Sequence, residues 1–213
     1  MEHDPVKRSP RAKKRRIAVV TGTRAEYGLL RSVIAAIDAH PRLELQLVAC
    51  GMHLLEPFGR TIDDIIADGW PIARAIRMQA GDDSFGDQAF GLARGVVGLA
   101  KLFEKSPPAI VVVLGDRIEA MAGALAGVTT GRLVAHIHGG DVAPGDFDES
   151  LRHAITKLAN IHLAATKAAA RRIARMGEPP ESIHVVGAPG LDRIREILIE
   201  QTTQRAAGPT RRR

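Results

Sequence analysis

Histidines and carboxylates crowd the stretch "AHIHGGDVAPGDFDESLRH", which runs from residue 135 to residue 153. Alternation along a strand places His136 and His138 on one face, where two imidazoles could bind zinc or iron. A metal site still needs a third or fourth ligand, ideally another His or Cys at a paired spacing. The same residue types also exchange protons with small molecules. We therefore predict acid–base chemistry with no metal or other cofactor, and a metal-dependent hydrolase using both histidines is the alternative.

A helix begins within the same stretch. We expect Asp148 at its N-cap and Glu149 in its first turn, with Arg152 and His153 three and four residues after Glu149. This spacing is also typical of a capped surface helix whose ion pairs contribute about 0.3 kcal/mol each. The preceding loop carries two histidines, so we favour a functional role for the acids.

The segment "TGTRAEYG", residues 21 to 28, has the features of an anion site. Gly22 permits a tight turn, and a helix that starts after it presents free N–H groups and a positive dipole end to a phosphate. Arg24 could add a bidentate contact. The segment is neither a dinucleotide fingerprint nor a P-loop, so an ordinary strand-to-helix turn remains the alternative.

The segment "GDRIE", residues 115 to 119, places Asp116, Arg117 and Glu119 directly after an apolar run. A carboxylate at the end of a buried strand is well placed for a shifted pKa. Asp116 could equally cap the next helix, with Glu119 completing a capping box, and both descriptions can hold together.

Short β-branched runs alternate with longer amphipathic segments from Ile17 onward. Strands are predicted at residues 17–21, 43–50, 72–78, 109–115, 133–138, 161–166 and 183–187. Helices are predicted at residues 25–40, 59–68, 87–105, 118–129, 148–159, 167–176 and 191–200. This alternation predicts an α/β fold with a doubly wound, Rossmann-like parallel sheet. The polar clusters all follow strands, so they should meet at one edge of the sheet, where such folds bind ligands.

The net charge of +6 is unevenly distributed along the chain. Residues 1–16 carry +5 and residues 205–213 carry +4, which leaves −3 for the rest. We interpret 1–16 and 201–213 as basic disordered tails around one domain at 17–200. Tail cations could contact phosphates nonspecifically, but aromatic residues make up only 3% of the chain, which disfavours a dedicated nucleic-acid reader.

The cysteine content indicates a reducing compartment, and the hydropathy disfavours a membrane span. Cys50 is the one cysteine, so no intrachain disulfide can form, and we expect it to be a small buried side chain. The apolar run after Arg16 is too short for a signal-peptide core or a membrane span. The expectation is a cytoplasmic protein without membrane contact.

Seven segments together resemble one family, the hydrolysing UDP-N-acetylglucosamine 2-epimerases of sialic-acid-type sugar biosynthesis. The resemblance covers residues 17 to about 194, in the same order and spacing. The segments are "GTRAEYG", "GMHL" with "FGRT", "GDRIE", "HIHGGD", "DESLRHAITKLANIHLAAT", "MGE" and "VGAPGLD". The resemblance implies the N-terminal half of a two-domain, glycosyltransferase-B-type architecture with its active site between the domains.

The reaction that the resemblance implies converts UDP-N-acetylglucosamine and water into N-acetylmannosamine and UDP. Loss of the C2 proton and of UDP gives a glycal-type intermediate with a C1=C2 double bond. Water then adds at C1, and a proton returns to C2 from the opposite face. Such chemistry needs acids and bases on both faces of the sugar. Related enzymes act on a 2,4-diacetamido-6-deoxy sugar nucleotide, and the sequence leaves that choice open.

The resemblance also implies roles for individual residues. The catalytic candidates are Asp116, His138, which stands where some relatives have Glu, and the acids Asp148 and Glu149. Arg24 would hold the UDP phosphates. The remaining expected substrate-binding residues are Gly22, Ala25, His53, Arg117, His136, Gly139, Gly140 and Arg152.

Family members are nearly twice as long as this chain, and their second domain supplies a His-Pro-containing loop and most contacts to uracil and ribose. Three possibilities follow from the resemblance. A separate chain could supply the second domain, the chain could be a truncated, non-catalytic UDP-sugar-binding half-domain, and a homo-oligomer is possible.

Overall fold

The computed structural model describes residues 14–82, 84–143 and 147–206. Each strand in it is followed by at least one helix. The strands are β1 (Arg15–Thr21), β2 (Leu43–Cys50), β3 (Ile72–Ile76), β4 (Ile110–Leu114), β5 (Leu133–Ile137), β6 (Ile161–Ala164) and β7 (Ile183–Val185). The α-helices are α1 (Arg24–Ala39), α2 (Ile62–Ala67), α3 (Phe85–Lys105), α4 (Ile118–Thr129), α5 (Asp148–Leu158), α6 (Lys167–Arg175) and α7 (Gly190–Ala206).

The strands form one parallel sheet in the order β3-β2-β1-β4-β5-β6-β7. The order reverses between β1 and β4, which are directly paired, and Val19 of β1 lies between Leu47 of β2 and Val112 of β4. Both faces of the central strands are buried, so their sequences are nearly continuous runs of Val, Ile and Ala. The reversal opens a crevice above the carboxyl ends of β1 and β4, which is where doubly wound sheets bind ligands.

Two hydrophobic clusters hold the helices on opposite faces of the sheet. Helices α1 and α2 cover one face, and α3, α4 and α5 cover the other. A Cβ on Gly95 of α3 would lie 2.9 Å from the Cβ of Ala122, so glycine lets α3 and α4 approach closely. Cys50 is buried in the cluster beneath α3 and α4, as expected for a small apolar side chain.

The predicted doubly wound parallel sheet is confirmed, and its elements agree closely with the sequence pattern. Strand β1 begins at Arg15, two residues before the predicted domain, because Arg15 and Arg16 pair with Leu43 and Glu44 of β2. Helix α7 continues to Ala206, beyond the predicted boundary at residue 200. The predicted tails otherwise fall at 1–13 and 207–213, outside the described residues. Within the described ranges, no helix has both the length and the hydropathy to cross a bilayer.

Candidate active site

The turn after β1 forms the first wall of the crevice. Thr23 caps α1 by accepting a hydrogen bond from the N–H of Glu26, and Glu26 Oε2 accepts in return from the N–H groups of Gly22, at 2.8 Å, and Thr23, at 3.2 Å. This capping box leaves the N–H groups of Arg24 and Ala25 for a ligand. The Arg24 side chain is exposed at the same helix end, with its Nε 3.4 Å from Asp64. The geometry suits an anion.

A pair of buried acids lies beneath this turn. Burial and the nearby Glu119 raise the pKa of Glu26 to about 8, so its carboxyl group is mostly protonated at neutral pH. A neutral Glu26 places no negative charge at the helix end that would receive a phosphate. Glu119 accepts a hydrogen bond from Gln79 at 2.9 Å and lies 3.6 Å from Arg117 Nε. A Cβ on Gly22 would lie 2.3 Å from Glu119 Cγ, which explains the glycine in this turn.

Arg152 connects three segments at the second wall of the crevice. Its guanidinium is paired with Asp116 after β4 and, at 2.5 Å, with Glu149 in the first turn of α5. It also donates to the backbone carbonyl of Asp141 at 3.2 Å. Arg152 is buried, so a low local dielectric strengthens these interactions. The guanidinium pairs with both carboxylates and fixes their positions relative to the loop after β5.

His138 lies at the end of β5 in a conformation suited to proton transfer. Its Nδ1 is 2.7 Å from Asp141 Oδ2, and a carboxylate only accepts, so Nδ1 carries a proton and the neutral tautomer that this contact selects has its lone pair on Nε2. Nε2 is buried and has no hydrogen-bond partner among the described residues. The backbone φ of His138 is +65°, a left-handed conformation that costs free energy in a non-glycine residue and often marks a functional position.

His136 lies in the protein interior, and not on the surface of the crevice as we predicted. Its Nε2–H donates to the carbonyl of Gly115 at 2.7 Å, and its Nδ1 lies 3.2 Å from the hydroxyl of Thr156. Burial lowers the pKa of His136 to about 4, so the ring is neutral near pH 7. The left-handed turn at His138 breaks the strand alternation, which explains why the two side chains do not share one exposed face.

His53 is also in the interior, although we predicted that it binds substrate. It follows β2 in a short 3₁₀ segment and lies 3.1 Å from the hydroxyl of Thr21 and 2.7 Å from that of Thr61. Burial lowers its pKa to about 4. Its position connects the ends of β1 and β2, so it supports the turn after β1 from below.

The predicted helix caps in this region are wrong. Arg117 is the N-cap of α4 and makes no capping bond through its side chain, because Asp116 is held by Arg152 and Glu119 is buried beside Gln79. Helix α5 begins at Asp148 itself, with Phe147 at the N-cap position. Long-range partners determine the orientation of these acids more strongly than local capping does.

The remaining predicted residues line the same edge of the sheet or support it. Asp148 is partly exposed, with no hydrogen bond or ion pair to the described residues. Arg117 lies 3.5 Å from the sulfur of Met52. Both glycines after His138 are buried, and a Cβ would lie 2.9 Å from a His136 nitrogen at Gly139 and 2.5 Å from a backbone oxygen at Gly140. These glycines shape the loop by close packing.

Sequence reasoning missed two residues that the structure makes central. Asp141 orients His138, and its spacing three residues later was a usable signal. Glu26 was also missed, although "TRAE" has the pattern of a capping box. As for the metal alternative, the described part of the chain contains no group of three His, Cys, Asp or Glu side chains placed to hold an ion. Both ring nitrogens of His136 are already used within the protein.

Comparison with known proteins identifies the family of this chain. The family model described as UDP-N-acetylglucosamine 2-epimerase matches residues 35–212. The chain is 38% identical over 178 residues to the UDP-N-acetylglucosamine 2-epimerase of Neisseria meningitidis serogroup B, covering 84% of this chain and 46% of the relative. It is 40% identical over 180 residues to the hydrolysing UDP-N,N'-diacetylbacillosamine 2-epimerase of Legionella pneumophila, covering 84% of this chain and 48% of the relative.

Solved structures show the same fold. The UDP-GlcNAc 2-epimerase of N. meningitidis bound to UDP-GlcNAc matches with a TM-score of 0.72 and 18% identity, covering 90% of this chain and 53% of that one. The UDP-GlcNAc 2-epimerase of Methanocaldococcus jannaschii matches with a TM-score of 0.71 and 22% identity, covering 83% and 46%. The chain therefore spans about half the length of the relatives it matches.

Proposed function

Because the chain belongs to the UDP-N-acetylglucosamine 2-epimerase family, we propose that it forms one half of a hydrolysing 2-epimerase active site. The reaction is UDP-N-acetylglucosamine plus water to N-acetylmannosamine plus UDP, at an early step of sialic-type acid biosynthesis. Similarity to the hydrolysing Legionella enzyme, and 31% identity to the polysialic acid biosynthesis protein P7 of Escherichia coli, supports this assignment.

In this proposal the UDP phosphates bind at the N-terminus of α1. The free N–H groups of Arg24 and Ala25, the helix dipole and the exposed Arg24 guanidinium provide the attraction. Glu26 supports the turn without adding a full negative charge. The sugar then extends over the carboxyl ends of the strands, toward the ends of β4 and β5.

Proton transfer is assigned to the groups at those strand ends. A base removes the C2 proton, the C2–H electron pair forms the C1=C2 bond, and the bond from C1 to the UDP oxygen breaks. Water then adds its oxygen to C1, and an acid delivers a proton to the opposite face of C2. His138 is the first candidate for one face, and Asp116, Asp148 and Glu149 are the candidates for the other.

The observation that carries the proposal is the unpartnered Nε2 of His138. A buried nitrogen without a hydrogen bond costs about 1–3 kcal/mol unless a water or ligand meets it. Asp141 fixes the tautomer that leaves this lone pair available. The ring thus keeps an acceptor nitrogen directly after β5, at the end of the sheet where such folds bind ligands.

A second candidate function is binding of a UDP-sugar without turnover, because the described residues form one side of the crevice. A crevice that is closed on one side alone stays open to water. Electrostatic catalysis depends on excluding water. The two functions share the binding site and differ in whether a second half completes it.

One set of assays separates these functions. The chain is incubated with UDP-N-acetylglucosamine or UDP-N,N'-diacetylbacillosamine, alone and with the C-terminal half of the Neisseria relative, and UDP and the free sugar are measured by chromatography. We expect free sugar and UDP only in the mixture. His138→Asn should abolish product, whereas His184→Asn, at an exposed histidine of β7, should not.

Calorimetric titration with UDP completes the test. If UDP binds but no mixture releases the free sugar, the binding function stands and the epimerase function is refuted. Absence of both UDP binding and product would remove both functions.

A further inference from the structure

Strand β3 is an edge of the sheet with an open side. It pairs with β2 on one side, and no strand among the described residues pairs with the other. Ala73, Arg74 and Ala75 in its middle are exposed. An edge strand with unpaired backbone groups is a template on which another strand can form.

A bulge in β3 places Ile72 and Arg74, which would share a face in a regular strand, on opposite faces of the sheet. The register shifts between Leu47, which pairs with Ile72, and Val48, which pairs with Arg74. Paired residues of parallel strands point to the same face. Val48 belongs to the core under α3, so Arg74 points to that face. Ala75 pairs with Ala49, which belongs to the core under α1 and α2, so Ala75 points to the opposite face.

The face toward α3 carries a groove of about 920 Å³ with a strongly positive lining, which we name the cationic groove. Its charged residues are Arg74, Arg77, Arg94, Lys101 and Lys105. Arg94 pairs with Asp87 at 3.3 Å, while the other four form no ion pair with the described residues. No carboxylate contributes to the lining within the described chain. The groove is therefore matched to negative charge.

The face toward α2 carries a second groove of about 520 Å³, which we name the apolar groove. Ile62, Ile66 and Trp70 line it on the side of α2, and Arg74, which also lines the cationic groove, lines it on the side of β3 with Ile72, Ala73 and Ala75. Ile66 is 59% exposed, although it lies next to the sheet. A side chain placed here by a neighbouring strand would bury apolar surface against these residues.

We propose that β3 binds an extended segment of a partner protein whose residues alternate between acidic and apolar. The segment adds an eighth strand to the sheet edge. Side chains of a strand alternate between faces, so its acids enter the cationic groove and its apolar residues enter the apolar groove. Backbone hydrogen bonds along β3 give affinity, and the two grooves select the pattern.

The two grooves also distinguish this occupant from others. A nucleic acid would use the cationic groove alone, and no aromatic side chain lines that groove, within the described chain, for bases to stack on. A second copy of the chain paired through β3 would bring two cationic edges together, which like-charge repulsion opposes. A segment that alternates acidic and apolar residues pairs with the β3 backbone and places side chains in both grooves at once.

Fluorescence anisotropy with two labelled peptides tests the proposal. One peptide alternates Glu and Val over nine residues, and the other has the same composition with all Glu residues first. We expect the alternating peptide to bind at least tenfold more tightly. We expect Arg74→Glu and Ile66→Asp each to weaken its binding at least tenfold, while Lys167→Glu, at an exposed lysine of α6, leaves it unchanged. Circular dichroism checks that the variants are folded, and Arg74→Gln provides a milder charge removal.

Hydrogen exchange locates the bound peptide. We expect slower amide exchange in residues 72–76 when the alternating peptide is added. Equal affinity for the two peptides, or protection elsewhere in the chain, would overturn the proposal. So would a single-stranded oligonucleotide that competes more strongly than the alternating peptide and shows the same sensitivity to Arg74→Glu.

Discussion

Replacing Glu26 by glutamine should change how the stability of this protein depends on pH. Burial and the neighbouring Glu119 raise the pKa of Glu26 from 4.5 to about 8 in the folded protein. Above pH 4.5 the unfolded chain releases this proton while the folded protein retains it. Folding then takes up a proton, so the free energy of unfolding falls by about 1.4 kcal/mol per pH unit until the folded group ionises near pH 8. Glutamine resembles the protonated acid and does not titrate.

The window from pH 6.5 to pH 8 isolates this effect. His53 and His136, whose pKa values burial lowers from 6.5 to about 4, add to the slope mainly at lower pH, and their contribution is the same in the wild type and in Glu26→Gln. Their contribution to stability is complete above pH 6.5 and is lost as the pH falls toward 4. Across the window, the wild-type protein should lose about 2 kcal/mol relative to Glu26→Gln. The introduced glutamine can still accept from the N–H groups of Gly22 and Thr23, so the turn is preserved.

Urea denaturation at four pH values between 6.5 and 8 measures this difference. Trp70 is the one tryptophan of the chain and serves as the fluorescence probe. Glu104→Gln, at an exposed carboxylate of α3, is the matched control and should follow the wild-type slope. Parallel curves for the wild type and Glu26→Gln would refute the assignment of a raised pKa to this carboxyl group.

Three further predictions use the same denaturation assay. Arg152→Met leaves two carboxylates without their buried cation and should lower the free energy of unfolding by about 3 kcal/mol; an unchanged midpoint would contradict the pairing. Gly22→Ala should cost about 2 kcal/mol, because its Cβ would lie 2.3 Å from Glu119 Cγ, whereas Gly28→Ala, with open space around it, should stabilise α1 by about 0.5–1 kcal/mol. His136→Gln should flatten the loss of stability between pH 6.5 and pH 4, and an acid limb as steep as that of the wild type would count against its burial as a neutral ring.

The sequence pattern predicted the sheet and helices well because these elements depend on local periodicity. Strand β2 and helix α4 agree with the predicted bounds at both ends, 43–50 and 118–129. A run of apolar residues marks each buried strand, and polar clusters after the strands place the site at their carboxyl ends. The motif resemblance pointed to the family that the comparisons then showed.

The errors arose where residues far apart in sequence compete with local rules. Asp116 was a plausible helix cap, but Arg152, 36 residues later, holds its carboxylate instead. His136 and His138 were expected on one face, but the left-handed backbone at His138 and the Gly115 carbonyl separate their roles. Glu26 and Glu119 could not be recognised as a buried pair, because only the approach of the first turns of α1 and α4 brings them together.

The sequence by itself determined the order of elements, the parallel α/β class and the edge of the sheet where chemistry-bearing residues collect. These follow from hydrophobic periodicity and chain connectivity, which are properties of neighbouring residues. Tertiary structure alone decided which acids share Arg152, that Nε2 of His138 has no partner among the described residues and that β3 lies at the open edge. These outcomes depend on contacts between distant segments and on burial, which changes the free energy of a charge. Local spacing reveals neither the contacts nor the burial.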